Sequence, residues 1–273
     1  MATTKVSRFM RTDGAYPSYT TKTAAYTIVV GDYGKTILAT SLAATVAFTL
    51  PDAATVGAGW WVKVIRGANT GGYNLTVDRA GSDTIAFGSD TTETSIILAG
   101  DGDHLELVST GSGWVASGNT TVALNVYNAF PTPSAQTITT STITTVAWGS
   151  TNRDTHGGMN LGTETYTIPL SGLYHFDAIV GWNLGTAHAY NATLYFYIGG
   201  GALISHQTIR ADDAYGAFET QRVSGIWRVD KGDTVLVKCY HLFGADRTIG
   251  DGTITNNSAN ENSMSINRIG NSW

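Results

Sequence analysis

The sequence predicts an all-β protein made of two strand-rich blocks. Three observations predict it. Apolar residues alternate with polar ones over short runs, and no useful length carries the 3.6-residue period of a helix. Turn formers are abundant, and glycine alone supplies 32 of 273 residues, well above a usual share of ~7%. Charged residues are only 14%, against roughly 25% in an average soluble protein. Thr, Ser, Tyr and Val are plentiful instead, as suits strands joined by tight turns.

Residues 1–18 have no periodicity, so a frayed terminus is the default expectation, with an N-terminal attachment segment as the alternative, in which Arg8, Phe9, Met10 and Arg11 form a candidate docking peptide. Alternation starts at Tyr19 and defines a small β domain over 19–118. Tyr26, Ile28 and Val30 share one strand face, and GDYG (31–34) is a turn. Val46, Phe48 and Leu50 alternate up to Pro51, and Trp60, Val62 and Val64 form the next face. NLTVD, DTIAF, SIIL, HLELV and WVASG follow, separated by Gly, Asp and Asn clusters. Short strands at regular spacing read as a sandwich or barrel.

Residues 119–135, with Pro131 and Pro133, read as a linker. From 136 to 273 the strands are longer and more aromatic: TITTVAW, ETYTIPL, GLYHFDAIV, NATLYFYIG, ALISHQTI, ETQRVSGIWRV, DTVLVKCYH and SMSINRI. About eight strands in such a block fit a jelly-roll β-sandwich. No repeat of 20–50 residues is evident.

In the second block, Gly172, Tyr174 and Phe176 lie within ETYTIPLSGLYHFDAIVGW, and Gly232 and Asp233 within WRVDKGDTVLVKCYH. This Gly-x-Tyr-x-Phe strand and Gly-Asp turn resemble the signature of the trimeric jelly rolls of complement globular heads and tumour necrosis factor. The closing strand NSMSINRIG lacks that family's Phe-x-Gly. The first block, with Tyr26–Val30, Asp32–Lys35, the Leu50–Val56 run LPDAATV and Trp114, resembles a small β domain of bacteriophage fibre proteins. Together the resemblances imply a homotrimeric virion fibre or spike, attached to other virion proteins by its N-terminus and displaying a C-terminal head.

A physical pattern also favours an oligomer. In NATLYFYIG, Leu194, Phe196 and Ile198 form one face while Tyr195 and Tyr197 form the other. A strand with one face in water should alternate with polar residues. Tyrosine suits an interface, because its ring buries area while its hydroxyl keeps a partner. Tyr174, Phe176, Tyr195 and Tyr197 are therefore the candidate trimer-interface residues, although Tyr174 and Phe176 also share the core-like face of their strand with Ala178 and Val180.

Candidate chemistry is sparse. His175 and Asp177 lie two apart on the other face of the same strand. A metal site needs at least three converging ligands, which only three copies of His175 on an axis could supply. A hydrogen-bonded structural histidine is the simpler expectation, and no metal or cofactor is expected. No Gly-x-Ser-x-Gly elbow is present, and Asp212, Asp213 and Glu219 are paired only by proximity in sequence. The protein is thus expected not to be an enzyme. A polysaccharide-degrading spike and a bacterial surface lectin are the alternatives. The loop 250–262 is rich in Asp and Asn but lacks EF-hand spacing.

Any receptor contact is expected on loops of the second block, through Trp182, His188, Tyr190, Tyr215 and Phe218, with a host-surface glycan as the candidate partner and plain decoration of the particle as the alternative. A net charge of −5 with scattered Lys and Arg argues against nucleic acid. No stretch has the apolar length of a membrane span, and none at the N-terminus has the make-up of a signal peptide. The expected course is synthesis in a host cytoplasm, assembly into a virion and release by lysis. The single Cys239 is expected in a buried strand.

Overall fold

A computed structural model describes residues 19–69, 71–127, 136–183, 190–199, 202–211, 218–250 and 262–270, and leaves the side chains of 183, 190, 202–211 and 218–219 outside the description. The chain is all-β and divides into two compact units. Residues 1–85 and 94–120 form the first, and 86–93 and 121–273 the second.

The first unit is built on β1 (Tyr19–Lys22), β2 (Tyr26–Thr27), β3 (Thr36–Ala39), β4 (Val46–Thr49), β5 (Trp61–Arg66) and β6 (Leu75–Asp78). The strands alternate between two sheets and pair in parallel, β1-β3-β5 in one and β2-β4-β6 in the other. Each excursion of the chain thus stacks on the one before. The register aligns Ile37 with Val64, and Phe48 with Val77. All four have no accessible surface, and burying each such side chain contributes about 1.5–3 kcal/mol.

Ile85–Phe87 is β7 and Asp90–Glu93 is β8. β9 (Ser95–Leu98) then closes the second sheet antiparallel to β6, and β10 (His104–Ser109) and β11 (Trp114–Asn119) extend the first beyond β5. At Gly118 (φ +146°) a β-carbon would stand 2.0 Å from the His104 carbonyl oxygen, so only glycine fits against β10 there. The alternation foresaw two-faced strands but not their parallel pairing. The stacked excursions differ in length and share no sequence motif, so no repeat betrays them.

The motifs of this unit have local physical causes. Asp32 accepts from the Tyr26 hydroxyl at 2.7 Å, the Val29 amide at 3.0 Å and the Lys35 ammonium at 3.1 Å. Gly34 supplies the positive φ (+72°) that completes this turn. Asp52 caps the short helix α1 (Ala53–Val56), accepting from the Thr55 amide at 2.8 Å. The Ala53 amide donates to Asp83 at 2.8 Å, so the LPDA run is a helix entry held from both sides.

The second unit is a two-sheet sandwich. Its strands are β12 (Ala123–Tyr127), β13 (Gln136–Ile138), β14 (Thr144–Thr145), β15 (Ser150–Asp154), β16 (Met159–Asn160), β17 (Thr165–Thr167), β18 (Gly172–Asn183), β19 (Tyr190–Ile198), β20 (Ala202–Ala211), β21 (Phe218–Val229), β22 (Thr234–His241), β23 (Arg247–Ile249) and β24 (Ser263–Gly270). One sheet runs β15-β12-β24-β18-β21, with β23 and β13 joined at the far end of β18. The other runs β16-β17-β22-β19-β20, with β14 also on β22. The chain crosses between sheets from β18 to β19, returns at β21, crosses again to β22 and returns at β23 and β24. That is jelly-roll winding. The segment expected as linker over 119–135 carries β12, which pairs with both β15 and β24.

The core lies between the two sheets. Tyr174, Phe176, Ala178, Val180 and Trp182 of β18 have no accessible surface, and neither have Leu194 and Phe196 of β19 or Val235, Val237 and Cys239 of β22. Phe176 packs on Phe196 at 5.6 Å and on Trp227 at 6.0 Å between ring centroids. Burial pushes the Cys239 thiol up to about 12, so it behaves as a small apolar residue, as expected.

Candidate functional site

Three of the expected contact residues of the second unit, Tyr174, Phe176 and Trp182, turn inward. Tyr174 and Phe176 are sealed inside the single chain, which corrects their assignment to a trimer interface. Their alternation with Ala178 and Val180 was the core signal. The Tyr174 hydroxyl donates to the Leu170 carbonyl at 2.7 Å, and burial raises its pKa far above the ordinary value.

Trp182 is likewise no receptor residue. It has the same strand parity as Tyr174 and Phe176, and that parity was the signal that could have placed it. Its indole N–H donates to Gln221 Oε1 at 2.9 Å, and Gln221 Nε2 donates to the Ala192 carbonyl at 3.2 Å. Gln221, fully buried, thereby ties β18 and β21 to β19 across the sandwich. His188 and Tyr215 lie outside the described residues. So do the side chains of Tyr190 and Phe218, which open β19 and β21. Arg8, Phe9, Met10 and Arg11, with Asp212, Asp213, Glu219 and most of the 250–262 loop, fall outside the description too.

His175 and Asp177 face outward and part company. His175 Nε2 lies 3.1 Å from Ser224 Oγ, while Asp177 takes the Arg222 guanidinium at 2.6 Å. Both are diagonal contacts across the β18–β21 pair, where Asp177 stands opposite Ser224 and Ile179 opposite Arg222. The Asp177 hydrogen bond and charge raise the Arg222 pKa. The His175–Ser224 contact sits on an exposed sheet face and belongs to no triad, because Asp177 is committed to Arg222. Among the described residues no three His, Cys, Asp or Glu side chains cluster as metal ligands.

The residues that remain available are on the outward face of the other sheet. Tyr195 and Tyr197 of β19 are partly exposed and meet edge to face at 6.1 Å. The register sets Tyr240 beside Thr193, Lys238 beside Tyr195 and Leu236 beside Tyr197. Lys238 Nζ lies 4.4 Å from the centre of the Tyr197 ring, a cation–π contact. The result is a strip of three tyrosines and a leucine with a single ammonium. Tyr240, Leu236 and Lys238 were missed from the sequence. Their alternation within DTVLVKCYH was legible, but the register that sets them beside β19 was not.

A second group of ionic contacts organises the base of the jelly roll. Asp90 accepts from the Ser171 amide at 2.8 Å and hydroxyl at 2.5 Å, and Ser171 Oγ in turn accepts from the Lys231 amide at 2.8 Å. Lys231 Nζ reaches both oxygens of the buried Glu93, at 2.6 and 2.5 Å. Arg268 donates to the Ser171 carbonyl at 3.2 and 3.0 Å. Burial lowers its pKa, against opposing contributions from Tyr174 and Asp90. Each of these donors has an acceptor, so the contacts tie β8, β18, β24 and the turn before β22 together as a structural network.

No protein-family model matches the chain, and no curated protein does. Solved structures of murine APRIL, determined at pH 8.5 and at pH 5.0, are similar to it at 12% and 13% identity, each with a TM-score of 0.39 and each covering 55% of this chain and 100% of that one.

Proposed function

We propose that the protein is a non-enzymatic structural component of a bacteriophage particle, a head or tail fibre or spike, and that it works as a homotrimer. In this reading the N-terminal segment attaches to other virion proteins, and the jelly roll is displayed toward the host surface and its glycans. The observation that carries it is the outward face of β19 and β22. Tyr195, Tyr197, Tyr240 and Leu236 leave a largely apolar strip on a sheet face that should be polar if it met only water. Tyrosine is among the residues enriched where protein surfaces meet. A second copy of the same chain would cover that strip.

Two further features support the virion reading. The strand, turn and helix-entry motifs of the first unit are those by which it resembles fibre modules. A trimer would also multiply weak contacts with a repetitive surface without new chemistry, since linked sites raise avidity. The test is to localise the protein with labelled antibodies on particles by electron microscopy. Labelled fibres or spikes support the reading, and particles without label overturn it. An assay of capsule or lipopolysaccharide breakdown should show none.

A further inference from the structure

We infer that the first unit carries a binding site for a neutral sugar ring, walled by Tyr33 and Trp60. This site belongs to the first unit and does not depend on the virion reading.

The site is a depression of about 350 Å³ lined by Tyr33, Val56, Ala58, Gly59 and Trp60. It exists because bulky and minimal residues alternate around it. Tyr33 stands between two indoles, 6.3 Å from Trp60 and 6.3 Å from Trp61, yet remains 44% exposed. At Gly59, which lines the depression, a β-carbon would meet nothing within 4 Å. Trp60 is fixed from behind by its indole N–H, which donates to the Val30 carbonyl at 3.1 Å, and by an edge-to-face contact with Trp114 at 5.6 Å. The wall is therefore built before any ligand arrives, which lowers the ordering cost of binding.

The chemistry of the lining selects the ligand. It contains no charged side chain, which disfavours phosphates, carboxylates and cations. Trp60 is only 6% exposed, so the accessible aromatic face is that of Tyr33, which suits an apolar face such as the C–H face of a pyranose. Outside this lining, the turn carrying Thr110 and Ser112 approaches Ala58, where a β-carbon at Gly111 would stand 3.5 Å from the Ala58 amide nitrogen. Its two hydroxyls lie 3.4 Å apart, and Thr110 Oγ1 also donates to the Gly113 carbonyl at 3.1 Å. Pockets that bind small molecules combine apolar walls with a few placed polar groups. A neutral hexose, with one apolar face and a ring of hydroxyls, is the ligand that meets both requirements.

The test uses the full chain and the methyl glycosides of glucose, galactose, mannose and N-acetylglucosamine, read by saturation-transfer NMR. At least one glycoside should receive saturation on its ring C–H protons. Tyr33→Ala should reduce the signal at least five-fold. Ala58→Trp, which fills the depression while leaving the core untouched, should do the same with an unchanged melting temperature. No transfer to any of the four sugars overturns the site. Undiminished transfer in Ala58→Trp also overturns it, by placing the binding elsewhere, and leaves the reading of the jelly roll intact.

Discussion

Gly172 opens the central strand of the jelly roll directly against Gly270: a β-carbon on Gly172 would stand 2.6 Å from the Gly270 carbonyl oxygen and 2.6 Å from Arg268 Nε. The first obstacle is backbone and cannot swing aside. The glycine of the Gly-x-Tyr-x-Phe signature is thus a packing requirement where β24 and the Arg268 side chain pass over β18. Tyr174 and Phe176 then fill the space between the sheets.

Gly172→Ala should destabilise the second unit by about 1–3 kcal/mol, the usual cost of forcing an extra carbon into packed surroundings. Chemical denaturation, followed by the fluorescence of Trp182 and Trp227, measures it. A variant as stable as the parent would mean that β24 yields freely at this point.

Asp32 should make the first unit sensitive to acid. Burial opposes its charge, but the Val29 amide, the Tyr26 hydroxyl and the Lys35 ammonium outweigh that and hold its carboxyl below the usual value. A carboxyl with a lowered folded pKa contributes stability that is present above its unfolded value near ~4. That stability is lost as pH falls through the folded value. Asp32→Asn should therefore cost about 2 kcal/mol at pH 7, with the difference shrinking below the unfolded value. Burial and the same aspartate push Tyr26 up to about 12, so stability tied to its neutral form should persist until strongly alkaline pH. Urea unfolding across pH tests both.

Lys231 neutralises a carboxylate that has little other access to water. Glu93 is 6% exposed, whereas the lysine side chain is 45% exposed. Lys231→Met should destabilise by about 1–2 kcal/mol, less than for a fully buried pair because the ammonium is half in solvent. Adding Glu93→Gln should recover part of the loss by removing the orphaned charge. A double variant no better than Lys231→Met would show that the lysine acts through its packing instead.

Tyr166 offers a change in the opposite direction. Its ring is fully buried and its hydroxyl finds no hydrogen-bond partner among the described residues. Burial drives its pKa far upward. Tyr166→Phe should leave stability unchanged or raise it by up to about 1 kcal/mol, since it removes an unpaired buried hydroxyl. A clear loss of stability in thermal melts would reveal a partner for that hydroxyl.

Much of the fold was legible because β alternation survives burial. The inward set of β18 runs unbroken from Tyr174 to Trp182, and the second unit's long strands were visible as such. Reading Trp182 as a loop residue ignored that parity in favour of the Asn and Gly that follow it. The parallel stacking of β1, β3 and β5 was not legible, because pairing direction depends on where the chain returns and not on which faces are apolar. The network around Ser171 was hidden for the same reason. Asp90 and Glu93 lie some 80 and 140 positions from their partners, and nothing local marks them as belonging to the second unit. At the candidate contact face, Tyr195 and Tyr197 were marked out by the two apolar faces of NATLYFYIG. Leu236, Lys238 and Tyr240 needed the β19–β22 register.

The most direct measurement is the mass of the full chain in solution by light scattering, with Tyr197→Glu beside it. The parent should scatter as three copies of the 28.9 kDa chain. The variant, which places a carboxylate in the tyrosine strip, should shift toward one copy without losing its β-sheet circular dichroism. A parent that is monomeric across the micromolar range would contradict the trimer, and a trimer untouched by Tyr197→Glu would contradict its placement on β19 and β22.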